Sequence, residues 1–114
     1  MKYAMLIYDR PGSLDAMSEA DRQATVGEYF GLREDPRCVD GAGLQGVDTA
    51  TTVRVQEGQT LTTDGPYADT KEVFGGYYVF EADNLDEAIE VASRIPAART
   101  GGAIEVRPVM EYPR

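Results

Sequence analysis

The feature that most narrows the fold is a strand that is apolar on both sides. Between Lys2 and Tyr8, residues Tyr3, Met5 and Ile7 alternate with Ala4, Leu6 and Tyr8, so neither side reads as solvent-facing. Such a strand belongs inside a sheet with cover on both faces. Asp9-Arg10-Pro11-Gly12-Ser13 then carries the Pro, Gly and Ser of a loop. Ser18 with Asp21 three residues later is a capping-box pattern that starts a helix, and Pro36 stops it after about Glu34. Gly27 and Gly31 each weaken that helix by ~1 kcal/mol relative to Ala. With Ala20 and Ala24 they also form a side of small residues suited to close packing on a sheet.

The remaining elements follow from the same signals. Cys38 to Gln45 is Gly-rich and reads as a short or bulged strand. Thr51–Gln56 and Gln59–Thr63 are β-rich runs joined by Glu57-Gly58, a hairpin signal. Val73–Ala82 contains Gly75-Gly76-Tyr77-Tyr78-Val79-Phe80, an aromatic and β-branched strand. Asn84 caps a second helix whose apolar stripe is Leu85, Ala88, Ile89, Ala92 and Ile95, ended by Pro96. Ala103–Val109 is a last strand, and Pro108 suits an edge or a strand end.

This order predicts an α+β fold, a ferredoxin-like split βαβ with an inserted hairpin. A chain of 114 residues has room for one core, so a single domain over residues 1–114 is expected. Both helices then lie on one face of an antiparallel sheet. The other face is left bare and apolar, which soluble monomers rarely tolerate, so a homodimer pairing two sheets across a two-fold axis is expected.

Composition removes several functions. The net charge of -9 leaves few cations to displace phosphate counterions, making nucleic acid and anionic membranes poor partners. No apolar run approaches the ~20 residues of a membrane span, and Met1-Lys2 opens into strand rather than signal sequence, so the cytoplasm is the expected compartment. There is no histidine, which excludes Ser/His/Asp and Cys/His nucleophile systems and leaves acid–base work to Asp, Glu, Tyr, Lys or Cys. Cys38 is the only cysteine, so neither an intramolecular disulfide nor a cysteine metal cage forms, and a lone thiol is ordinarily inert. Gly41-Ala42-Gly43 lacks the third glycine of a dinucleotide fingerprint, and no metal or cofactor is expected.

The densest polar cluster is Thr63-Asp64-Gly65-Pro66-Tyr67-Ala68-Asp69-Thr70-Lys71-Glu72. Asp-Gly-Pro is turn chemistry, in which the carboxylate accepts from nearby amides and Gly permits positive φ. Two readings stand: Asp64 fastens this turn, or the turn aims Asp64 and Tyr67 into a cleft at the dimer seam. Tyr77 and Tyr78 point to opposite faces of their strand; core packing is the expected role of either, with lining the cleft as the alternative for the one that is not core. Arg107 either anchors an anionic ligand or makes an ordinary surface ion pair.

The run Asp64-Gly65-Pro66-Tyr67-Ala68-Asp69-Thr70-Lys71-Glu72 resembles the signature D-G-P-F-A-E-T-K-E of the DGPF branch of the YCII-related proteins. Gly75-Gly76-Tyr77-Tyr78, Leu85-Asp86-Glu87-Ala88, Ile95-Pro96-Ala97 and Glu105-Val106-Arg107-Pro108 extend that resemblance over essentially the whole chain. Tyr67 stands for Phe and Asp69 for Glu, and Arg37 to Gly46 matches least well. The resemblance implies a dimeric ferredoxin-like α+β barrel of largely uncharacterised function. Related YCII-type proteins have been proposed to use a His–Asp pair in the dimer cleft; here Asp64 has no histidine partner. Genes of this branch often lie beside extracytoplasmic sigma factors, which implies a regulatory or accessory context.

Two functions are therefore expected to compete. One is a small-molecule-binding or accessory regulatory dimer with its ligand at Asp64, Gly65, Pro66, Tyr67, Tyr77 and Arg107. The other is a histidine-free acid/base enzyme of isomerase, lyase or hydrolase type with Asp64 as the proton-transfer group.

Overall fold

A computed structural model describes residues 1–112. The elements are β1 (Lys2–Asp9), α1 (Glu19–Glu34), β2 (Cys38–Gly43), β3 (Thr51–Gln56), β4 (Gln59–Asp64), β5 (Val73–Glu81), α2 (Leu85–Ser93) and β6 (Ala103–Pro108). Local chemistry explains their ends. Ser18 Oγ accepts from the Asp21 amide at 3.1 Å and Asn84 Oδ1 from the Glu87 amide at 2.9 Å, so each helix begins on the side-chain cap its sequence supplies. Glu57 and Gly58 both take positive φ, 51° and 77°, as a two-residue hairpin turn with the right twist requires.

Four strands form one antiparallel sheet in the order β2-β5-β1-β6. Each helix links two strands that have a third between them, the split βαβ arrangement. β1 and β5 are central, β6 is an edge, and Pro108 ends it opposite Tyr3. The core lies between the sheet and the helices. Tyr3, Met5 and Ile7 from β1 and Tyr78 and Phe80 from β5 meet Leu32 of α1 and Ala88, Val91 and Ala92 of α2, with Ile95 beyond. Among the described residues no helix is long and apolar enough to cross a membrane.

Two helix faces differ from expectation. Ala20, Ala24, Gly27 and Gly31 do not pack on the sheet; all four are exposed, and α1 turns Thr25, Tyr29 and Leu32 inward instead. A larger inward face buries more apolar area than a stripe of small residues, and that difference sets the rotation of the helix. On α2, Leu85 and Ile89 remain 50% exposed while Val91 is fully buried, so the inward stripe centres on Ala88, Val91, Ala92 and Ile95.

The opposite face of the sheet carries Ala4, Leu6, Tyr8, Tyr77 and Val79, with Glu105 and Arg107 at its β6 side, and neither helix covers it. β3 and β4 form a separate two-stranded sheet whose principal packing is on itself. The radius of gyration is 16.1 Å, against about 13 Å for a compact domain of this length.

Candidate functional site

Asp9 is the last residue of β1 and continues the parity of Tyr3, Met5 and Ile7, which is the core-facing side. Its carboxyl is half-buried at the end of the sheet. The register of β1 on β5 slips between Ile7 and Tyr8, leaving Gly75 as an extra residue between Phe74 and Gly76. The Asp9 carboxyl lies directly over that bulge, where a Cβ on Gly75 would fall 1.8 Å from Asp9 Oδ2. Gly76 is equally constrained, since a Cβ there would meet the Ala42 carbonyl of β2 at 2.6 Å. The Gly-Gly pair thus makes room for a carboxylate on one side and a neighbouring strand on the other.

Beside this bulge a cavity of about 370 Å³ opens between α1 and the β2–β5 side of the sheet. That size suits a small organic ligand. Its walls are mostly apolar, from Ile7, Leu14, Val26, Phe30 and Leu44, with Asp9, Tyr29, Arg33 and Tyr78 as the polar side chains. Asp9 is the one carboxylate among the described lining residues. Burial pushes the Asp9 carboxyl above the ordinary range, because the charged form loses hydration that nothing nearby replaces. Tyr29 is also raised, first by burial and then by the Asp9 charge. The Tyr78 hydroxyl donates to the Tyr29 carbonyl at 2.7 Å, and its pKa is pushed up to about 12 by burial, so it serves as a structural donor. Arg33 Nη1 donates to the Gly41 carbonyl at 2.6 Å, tying α1 to β2 across the cavity's end.

Gly75→Ala tests the cradle directly. The only clash is with the end of a side chain that can rotate, so the fold should survive while Asp9 swings out of place. The Asp9 carboxyl should then titrate closer to an ordinary aspartate, as followed by the pH dependence of its carboxyl-carbon NMR shift; an unchanged titration would mean that the contact does not hold Asp9.

The residues singled out in the sequence are divided among three places. Tyr77 borders the cavity at Asp9 but carries its side chain on the open sheet face, while Tyr78 sits in the core. Pro66 and Tyr67 line a second, broader cavity of about 820 Å³ together with Tyr8, Leu44, Val47 and Phe74. Tyr67 is itself exposed, with the Arg54 guanidinium 5.0 Å above its ring. Asp64 ends β4 opposite Thr51, exposed and outside both cavities. Gly65, at φ +106°, fastens the turn: its amide donates to the Ala50 carbonyl and its carbonyl accepts from Thr52 Oγ1, both at 2.8 Å. Arg107 is exposed on the open sheet face with Nη1 4.0 Å from Glu105 Oε1. Asp9, Tyr29 and Arg33 were not singled out. The signal for Asp9 was the unbroken odd-residue parity of β1, outweighed by the Pro-Gly loop that follows it.

Residues 1–113 match the model of the YCII-related domain. An uncharacterised protein of Rhizobium meliloti (strain 1021) is 31% identical over 117 residues, spanning 98% of this chain and 94% of its own. Among solved structures, the 5-chloro-2-hydroxyhydroquinone dehydrochlorinase of Burkholderia phenoliruptrix AC1100, in complex with 2,5-dihydroxybenzoquinone, superposes with a TM-score of 0.56. The likeness covers 98% of this chain and 96% of that one at 20% sequence identity, and it shows a shared fold.

Proposed function

The chain belongs to the YCII-related domain family, and on that premise we propose that it is a homodimer binding a small, weakly acidic organic molecule beside Asp9. The observation that carries this reading is a carboxyl laid over the Gly75 bulge at the wall of an otherwise largely apolar cavity. A carboxyl whose pKa is raised by burial can hold or accept a proton nearer neutrality than an exposed one. Apolar walls and tyrosines favour a flat ring, and a hydroxyl on that ring would meet Asp9. The solved protein of similar fold holds a dihydroxybenzoquinone, a molecule of that chemical class.

The dimer reading rests on the uncovered sheet face, where Leu6, Tyr8, Tyr77 and Val79 lie together without a helix above them. Face-to-face pairing would bring Arg107 and the second cavity, with Pro66 and Tyr67 in its wall, toward the seam. In this arrangement the Asp64 turn holds the base of the hairpin and Asp9 handles the proton.

Acid/base catalysis is the second reading, and the same half-buried Asp9 favours it. An isomerase or lyase needs a group that takes a proton from substrate and returns it, and Asp9 alone could do both in a chain without histidine.

The test is a panel of hydroxylated quinones and phenols, including 2,5-dihydroxybenzoquinone. Binding is followed by NMR and by calorimetry in buffers of different ionisation heat, with turnover assayed in parallel. Saturable binding that perturbs Asp9, Tyr29 and Gly75 and carries a proton-linked heat is expected. Perturbations centred on Tyr67 and Phe74 would move the site to the second cavity, and no binding at millimolar ligand would reject this ligand class.

A further inference from the structure

We infer that the β3–β4 hairpin is an arm that lies along a second copy of this chain. The inference deepens the dimer reading and rests on it. Its starting point is that an isolated two-stranded hairpin is only marginally stable in water, yet this one packs chiefly on itself. One of its faces carries a β-branched Val/Thr patch toward the tip: Val53 and Val55, 59% and 68% exposed, stand opposite Thr62 and Thr60, with Thr51 and Asp64 at the base. Cross-strand alternation puts Arg54, with Tyr67 beneath it, on the other face, so the patch is free to be covered.

The surface of the whole protomer shows the same deficit. The chain exposes 8134 Å², whereas a compact monomer of its mass exposes roughly 6,100 Å². The excess of roughly 2,000 Å² exceeds the ~800 Å² that each partner buries in a standard interface. Part of it lies on the open sheet face and part on the hairpin, and the two are continuous. The second cavity runs from Tyr8 and Phe74 on the sheet to Pro66 and Tyr67 at the hairpin base. A partner that covers the sheet face therefore arrives beside the arm. A second copy meets this requirement reciprocally, each arm reaching across the seam from the end of its own sheet. The net charge of -9 places the attraction on uncharged surface rather than on ion pairs, which is what the Val/Thr patch offers.

The experiment compares the full chain with V53D/V55D and with L6D, by sedimentation velocity across concentration. Hydrogen exchange of the wild-type arm is measured above and below the dimer dissociation constant. The wild type should dimerise, and L6D on the sheet face should abolish this. V53D/V55D should raise the dissociation constant at least a hundredfold with an unchanged circular dichroism spectrum. The β3 and β4 amides of the wild type should be protected only at dimeric concentration. A wild-type dimer whose constant is untouched by V53D/V55D overturns the arm alone, as do arm amides that exchange equally at both concentrations. A wild-type monomer overturns both the arm and the sheet pairing. Should V53D/V55D lose its folded spectrum, the concentration dependence of wild-type exchange decides.

Discussion

Phe80→Ala should cost about 3–5 kcal/mol of folding stability, the usual range for a fully buried Phe, and leave a large part of the protein unfolded at 37 °C. Phe80 has no exposed surface and is the largest of the completely buried side chains. It stands on β5 between Tyr3 of β1 and Cys38 of β2, with its ring edge-on to Tyr78 at 5.8 Å between centroids. Removing it empties the centre of the layer between sheet and helices, where Met5, Val91 and Ile95 cannot all move inward. A domain of this size has only about 5–15 kcal/mol in total. Urea unfolding followed by circular dichroism measures the change, with Glu90→Ala on the exposed side of α2 as a reference expected within about 0.5 kcal/mol of wild type. A Phe80→Ala loss below 1 kcal/mol would mean that the core does not lie between the helices and the sheet.

The same strands show how far sequence carries the fold. Alternation is a local signal, and it placed β1, β5 and the hairpin within a residue of their observed ends, while Ser18 and Asn84 marked the helix starts through single hydrogen bonds. Helix rotation is not local. Leu85 and Ile89 fit a helical stripe as well as Val91 does, and only the sheet beneath decides that Val91 faces inward. The small-residue side of α1 misleads for the same reason: without knowing that Tyr29 and Leu32 reach the sheet, Gly27 and Gly31 read as a contact surface. Asp9 was hidden by a competing loop signal, since nothing near it in sequence announces that Gly75, far along the chain, bulges beneath its carboxyl. The Asp-Gly-Pro-Tyr turn was legible as a turn, but the Gly65 amide and carbonyl, bonded to the Ala50 carbonyl and Thr52 Oγ1, fasten it rather than the Asp64 carboxylate.

Asp9→Asn should reduce ligand turnover, or proton-linked binding where there is no turnover, by roughly a hundredfold or more, the scale of a lost general acid–base group, while making the protein more stable at neutral pH. The second half follows from the direction of the shift. Burial raises the folded-state pKa of Asp9 above the ordinary 3.8, so between those two values the folded chain holds more of this proton than the unfolded chain does. Stability from this group is whole below the unfolded pKa and falls as pH rises through the folded one. Asn is nearly the same shape and stays uncharged, so the variant escapes that loss. Denaturation midpoints of wild type and Asp9→Asn should therefore coincide in acid and separate toward neutrality, with the variant higher. A carboxylate kept only to hold the fold would behave in the opposite way, losing stability and function together on substitution. Function lost while neutral-pH stability rises marks a group held in an unfavourable place for the chemistry it performs. A variant equally active, or less stable at pH 7, removes Asp9 from that role.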